Sequence, residues 1–181
     1  MKDRRVTSDG WLEDVRRVES PNCDDRPAGT EITLLIVHSI SLPPGEYGGD
    51  SIERLFTNRL DPDAHPYFKE IEGLKVSAHF LVRRDGSVVQ FVPIHRRAWH
   101  AGASSWRGRT TCNDFSVGVE LEGTDDGPFE EAQYQALEDL IARLRTALPL
   151  RDLAAHSDVS PGRKTDPGPG FAWRRALSRL A

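Results

Sequence analysis

The residues Ile32-Thr33-Leu34-Leu35-Ile36-Val37 form a continuous, β-branched apolar run, the pattern of a strand buried on both faces. His38 closes it, at the strand end where open α/β sheets present ligand-binding groups. Residues 116–122 alternate, with Val117, Val119 and Leu121 on one face and Ser116, Gly118, Glu120 and Glu122 on the other. Two further strand-like runs, 76–82 and 88–92, flank Arg83-Arg84-Asp85-Gly86-Ser87, and Asp-Gly is a strong hairpin signal. In the first of these, Ala78, Phe80 and Val82 share a face opposite His79 and Leu81. The clearest helix spans 130–148, with Leu137, Leu140, Ile141, Leu144 and Leu148 at helical spacing before Pro149. Residues 153–155 predict a short strand delivering His156, and 171–180 a last amphipathic helix with Trp173, Ala176, Leu177 and Leu180 inward.

Between these elements lies a long excursion, 41–68, opened by Pro43-Pro44-Gly45 and Gly48-Gly49. One helix interrupts it: Asp50 or Ser51 caps, Ile52, Leu55 and Phe56 form the stripe, and Asp61-Pro62 ends it. Loops of this length are usually functional or mobile. Residues 1–30 show no clear period and many turn formers, and read as an extended arm packed over a domain at 31–181. Trp11, Leu12, Val15 and Val18 offer a short amphipathic turn as an alternative.

A chain of 181 residues with 38% apolar content can bury one real core, so a single catalytic domain is expected. The charged opening, Met1-Lys2-Asp3-Arg4-Arg5, is unlike a signal peptide, and no run approaches a membrane span. Cys23 and Cys112 lack C-x-x-C spacing and fit free thiols in a reducing cytoplasm. A formal charge of −4 argues against a nucleic-acid partner, which clustered Lys and Arg would have to hold.

Residues 156–170, His-Ser-Asp-Val-Ser-Pro-Gly-Arg-Lys-Thr-Asp-Pro-Gly-Pro-Gly, read as a stiff loop built to aim side chains, since Pro fixes φ and Gly permits angles other residues resist. Two histidines at strand ends and one carboxylate in such a loop make a three-ligand zinc set with a fourth position left for water. Hydrolysis at such a centre needs a base and a group to hold the oxyanion. Glu120 is the natural base and Lys164 the natural oxyanion partner. Spacing does not prefer Glu120 to Glu122, nor choose among His38, His65, His79, His95, His100 and His156. His65 reads as a loop residue and His95 as exposed.

The loop H-S-D-V-S-P-G-R-K-T-D-P-G-P resembles the C-terminal signature of the AmpD-type N-acetylmuramoyl-L-alanine amidases. Four more segments agree in order: V-H-S-I-S-L-P-P-G-E-Y-G-G (37–49), D-P-D-A-H-P-Y-F (61–68), V-S-A-H-F-L-V-R-R-D-G (76–86) with R-A-W-H-A-G-A-S-S-W (97–106), and C-N-D-F-S-V-G-V-E-L-E-G-T-D (112–125). The resemblance covers nearly the whole chain. It implies an α/β (mixed α+β) fold, a single domain whose central mixed sheet is flanked by helices, as in peptidoglycan-recognition proteins. It further implies one zinc ion on His38, His156 and Asp166, with Glu120 as base and Lys164 stabilising the transition state. The family cleaves the amide between the lactyl group of N-acetylmuramic acid, often in 1,6-anhydro form, and L-alanine of the stem peptide.

For the substrate, Arg163 and Lys75 are expected partners of stem-peptide carboxylates, with Trp99, His100 and Tyr47 at the sugar, although core packing explains Trp99 equally well. The chain departs from the family at Ser39, where Asn is common, at Lys75, where Arg is usual, and at Thr111, where a basic residue can occur. All three lie near the expected sugar and peptide pockets, and Lys lacks the bidentate fork of Arg. The expectation is a monomeric, cytoplasmic amidase acting on small soluble anhydro-muropeptides. Its rivals are a lytic amidase on intact peptidoglycan and a recognition module that binds muropeptide without cutting.

Overall fold

The apolar run at 32–37 becomes the strand β3, Leu34–Ile40, buried from Leu34 through His38 and flanked by parallel strands on both sides. The protein is described by a computed structural model over residues 6–180. Around β3 runs a six-stranded sheet completed by β1 (Arg16–Arg17), β4 (Phe80–Val82), β5 (Val88–Gln90), β9 (Ser116–Glu122) and β10 (Asp152–Ala155), in the order β1-β5-β4-β9-β3-β10. Only the β4–β5 hairpin is antiparallel, so the sheet is mixed. Its Asp-Gly turn places Gly86 at φ +83°, 2.8 Å from the Ala132 carbonyl oxygen at the point where a Cβ would stand, so both angle and space require glycine. Two small ribbons lie outside the sheet: β2 (Cys23–Asp24) with β6 (Arg97–Ala98), and β7 (Ser105–Trp106) with β8 (Arg109–Thr110).

One face of the sheet is closed by the helix expected at 130–148, observed as α3, Glu131–Ala147. Its stripe of Leu137, Leu140, Ile141 and Leu144 packs on Leu35, Val37, Phe80, Val117, Val119 and Leu121. Gln133, fully buried, donates to the Val82 and Glu122 carbonyls and fixes the helix start over two strand ends. The opposite face carries two apolar clusters, one around Leu42, Ile52, Phe56, Leu81 and Phe91 and one around Leu34, Ile36, Phe115 and Ala154. The excursion after β3 holds α1 (Ser51–Phe56) and a helix not expected from the sequence, α2 (Pro66–Glu70). His65 caps α2, its Nδ1 accepting from the Tyr67 amide, which accounts for a histidine in that loop. The capping expected of Asp50 is absent, since its carboxylate instead accepts from Arg54 at 2.7 Å.

A short helix α4, His156–Val159, follows β10, and the last helix is α5, Trp173–Leu177. This is shorter than the expected 171–180, and Leu177 is 46% exposed rather than inward. With little more than one turn packed on α3, the buried stripe narrows to Trp173, Ala176 and Leu180. Residues 6–30 supply β1 and β2, and Arg26 anchors them by donating to the carbonyls of Ile94, Asn113, Asp114 and Ser116. The first five residues of the expected arm, and Ala181, lie outside the described residues. No described helix is long and apolar enough to cross a membrane.

Candidate active site

Parallel register assembles the site. His38 stands opposite Glu120 across β3 and β9, and Val37 opposite Ala155 across β3 and β10, so the next residue, His156, arrives beside His38. Three adjacent strands thus present His38, Glu120 and His156 toward their carboxyl ends. The loop after α4 returns Asp166 to the same point, tied by the Ser157 amide donating to the Asp166 carbonyl at 3.1 Å.

The Nδ1 atoms of His38 and His156 lie 2.9 Å apart, and each is 3.1 Å from Asp166 Oδ2. Protonation decides what this triangle means. His156 Nε2 faces the Ala101 carbonyl at 3.2 Å, so in neutral imidazole it carries the proton and Nδ1 keeps its lone pair. That lone pair is then aimed at a carboxylate oxygen, an arrangement that wants a cation between them. Burial pushes the pKa of His38 down to about 4, so that ring is neutral at physiological pH. Two imidazole nitrogens and one carboxylate oxygen at these separations fit a divalent ion such as zinc, with the fourth direction opening into a cavity.

The cavity, of about 470 Å³, has the donor triangle at one end with Glu120 and Lys164 beside it. Its other wall is apolar, formed by Leu42, Leu55, Tyr67 and Leu74 from the excursion between β3 and β4. Glu120 is only 9% exposed and its Oε2 has no hydrogen-bond partner. Burial first and the Asp166 charge second raise its carboxyl well above the usual range, while Lys164 opposes them. Glu122, two residues on, is different. It is engaged by Arg83 at 3.0 Å and by the amides of Gly48 and Arg84 at 2.7 and 3.2 Å, which is a structural role.

The residues expected at the substrate are dispersed. Ser39, Trp99 and His100 line the cavity. Ser39, however, donates to Asp125 Oδ1 at 2.6 Å, and Thr165 donates to Asp125 Oδ2, so this carboxylate clasps the end of β3 to the loop carrying Asp166. Sequence reasoning missed Asp125, and nothing in its Thr-Asp-Asp-Gly surroundings distinguishes it from a solvated turn. His100 is buried against His38. Arg163 lies outside the cavity lining, its Nη2 donating to the carbonyls of Ala101 and Ala103 at 2.6 and 2.9 Å. Tyr47 is 45% exposed under the Arg84 guanidinium, and Lys75 is exposed in a neighbouring groove behind Leu74.

Groups of this kind, set around one open face, could hold a metal ion that activates water and polarises a carbonyl, which is the chemistry of a hydrolase. The chain belongs to the N-acetylmuramoyl-L-alanine amidase family, which it matches over residues 28–169. It is 55% identical, over 92% of each chain, to the 1,6-anhydro-N-acetylmuramyl-L-alanine amidase AmpD of Escherichia coli K12. A crystal structure of a selenomethionine AmpD derivative superimposes with a TM-score of 0.93 at 52% identity, covering 97% of this chain and 99% of that one. The E. coli amidase AmiD, solved in complex with the substrate anhydro-N-acetylmuramic acid-L-Ala-D-γ-Glu-L-Lys, gives a TM-score of 0.60 at 28% identity, covering 97% of this chain and 65% of AmiD.

Proposed function

We propose that this protein is a zinc-dependent amidase that hydrolyses the amide between the lactyl group of 1,6-anhydro-N-acetylmuramic acid and L-alanine of the stem peptide, releasing the peptide during recycling of cell-wall fragments. The observation that carries this reading is the triangle of His38 Nδ1, His156 Nδ1 and Asp166 Oδ2 opening on the cavity that also holds the unpartnered Glu120 carboxyl. Likeness to AmpD over nearly the full length supports the substrate, and the AmiD complex supports an anhydro-muropeptide as the occupant. Residues 31–180 form the catalytic domain and 6–30 the described part of the arm packed on it. The chain acts as a monomer in the cytoplasm, a compartment that suits the free thiols Cys23 and Cys112.

His38, His156 and Asp166 would hold the zinc ion, which when bound would supply Lewis acidity to water and to the lactyl carbonyl. Glu120, buried and with a raised affinity for protons, takes the proton of the attacking water and delivers it to the departing alanine nitrogen. Lys164 lines the same cavity and offers its ammonium to the oxygen on which negative charge develops. Leu42, Leu55 and Leu74 line the same cavity and give it an apolar side.

Mass spectrometry of a purified anhydro-muropeptide incubated with the enzyme tests this, beside its reducing-end counterpart and with chelator. The expected result is release of free stem peptide from the anhydro form, abolished by chelator and restored by zinc. Cleavage of both forms would shift the reading to a lytic amidase, and binding without cleavage to a recognition module.

A further inference from the structure

His100 follows the ribbon strand β6, and its ring lies flat against β9. Its main chain is pinned by Asn113, whose Oδ1 accepts from the amides of His100 and Ala101 at 3.2 and 2.8 Å. Its ring fills the space a side chain at Gly118 would occupy: a Cβ there would stand 2.5 Å from the ring atoms. Both ring nitrogens are committed within the protein. Nδ1 is 2.9 Å from His38 Nε2, and Nε2 is 3.3 Å from the Ser116 hydroxyl. The two imidazoles stand at 90° with centroids 5.1 Å apart, the edge of one directed at the other.

We infer that His100 is a positioning residue for His38: its Nδ1 accepts the His38 Nε2–H and so holds His38 in the tautomer whose Nδ1 lone pair points at the metal. The inference rests on His38 being a metal ligand. A neutral imidazole has one donor nitrogen and one acceptor nitrogen, and a ligand nitrogen must be the acceptor. His38 therefore carries its proton on Nε2, where burial leaves His100 Nδ1 to receive it. His100 in turn is protonated on Nε2 and donates to Ser116, which completes the chain. The other ligand is treated alike, since His156 Nε2–H donates to the carbonyl of the adjacent residue, Ala101. One two-residue segment, His100-Ala101, thus fixes the tautomer and ring plane of both histidines. With neither ring nitrogen free, His100 has nothing left with which to hydrogen-bond a sugar.

Zinc affinity, measured by competition with a chromophoric chelator, tests the assignment on wild type, His100→Ala, His100→Leu and His100→Asn. Asparagine places its Oδ1 near the lost Nδ1 and restores an acceptor. The alanine and leucine variants are expected to hold zinc about 10- to 100-fold more weakly, with asparagine recovering most of the loss. In the cobalt-substituted protein, the visible absorption bands should shift in His100→Leu and return toward wild type in His100→Asn. Thermal melts identify any variant that fails to fold, and leucine against asparagine decides if alanine is one. Unchanged zinc affinity in all variants, with a raised KM for anhydro-muropeptide, would overturn the inference and make His100 a substrate contact. A wild-type protein that takes up no zinc would remove the ligand assignment itself, an outcome the wild-type titration separates from the first.

Discussion

At the scale of single residues, two glutamates on one strand face divide into a buried carboxyl without a partner and a brace. Alternation placed Glu120 and Glu122 on the same side of β9 and went no further, because what separates them comes from elsewhere in the chain. Across the sheet Glu120 meets His38, whereas Glu122 meets Arg83 and the Gly48 amide. Glu120→Gln is expected to keep zinc and fold normally while kcat falls about 10²- to 10⁴-fold, the usual worth of a positioned general base. Glu122→Gln should instead lower stability while leaving the chemistry near wild type. Steady-state kinetics with metal analysis and urea melts on both variants check this, and near-normal turnover in Glu120→Gln would remove Glu120 from the role of base. The same limit applies at Arg163, expected at a stem-peptide carboxylate, and at Ser39, a departure from the family near the expected pockets, whose hydrogen bonds go to the Ala101 carbonyl and to Asp125. A polar side chain shows in sequence what it can bond, not which partner the fold brings to it.

At the scale of elements, legibility followed length and burial. The apolar run of β3, the alternation of β9 and the stripe of α3 each carry a long periodic signal and are where the pattern put them. The two-residue ribbons, α2 and the true extent of α5 are set by local caps and by the little surface each one buries, which leaves no period to read. Gly118 is an instructive case, because a glycine in the middle of a fully buried strand looks like a weakness until the His100 ring is seen against it. Gly118→Ala should destabilise by about 1–3 kcal/mol through overpacking. Because the offending neighbours are the Cγ, Nδ1 and Cδ2 atoms of one ring, which truncation removes, adding His100→Ala should recover part of that loss, making the pair non-additive in a double-mutant cycle followed by urea denaturation. Strict additivity would mean that the backbone of β9, not the ring, is what resists.

At the scale of the whole molecule, buried neutral histidines give the fold an acid sensitivity. His79 accepts from the Gly118 amide through Nδ1 and faces the Arg96 carbonyl with Nε2, so protonation would break the first bond and set a second charge beside Arg26. Burial first, and then Arg26, depress its pKa to about 3. Between that value and about 6.5, the ordinary histidine value, the unfolded chain binds a proton that the folded one refuses, so stability rises with pH. The contribution is fully present above about 6.5 and is lost progressively as pH falls toward 3. His38 adds the same sign in the metal-free protein, between about 6.5 and about 4. Melting temperatures of metal-free protein across pH 3 to 7 should therefore fall steeply on the acid side, and His79→Asn, which keeps an acceptor for Gly118 without a titrating ring, should flatten that fall. An unchanged slope in the variant would assign the acid loss to other groups.

The pairing of β3 with β10 also governs when this protein can become an enzyme. His38 and His156 are separated by 118 positions, and Asp166 comes later still. A chain emerging from the ribosome exposes His38 on the order of ten seconds before His156 exists. Throughout that interval no partial centre can form that resembles the finished one. Assembly of the donor triangle is therefore postponed until β10 docks beside β3, and a chain that ended before His156 would lack it.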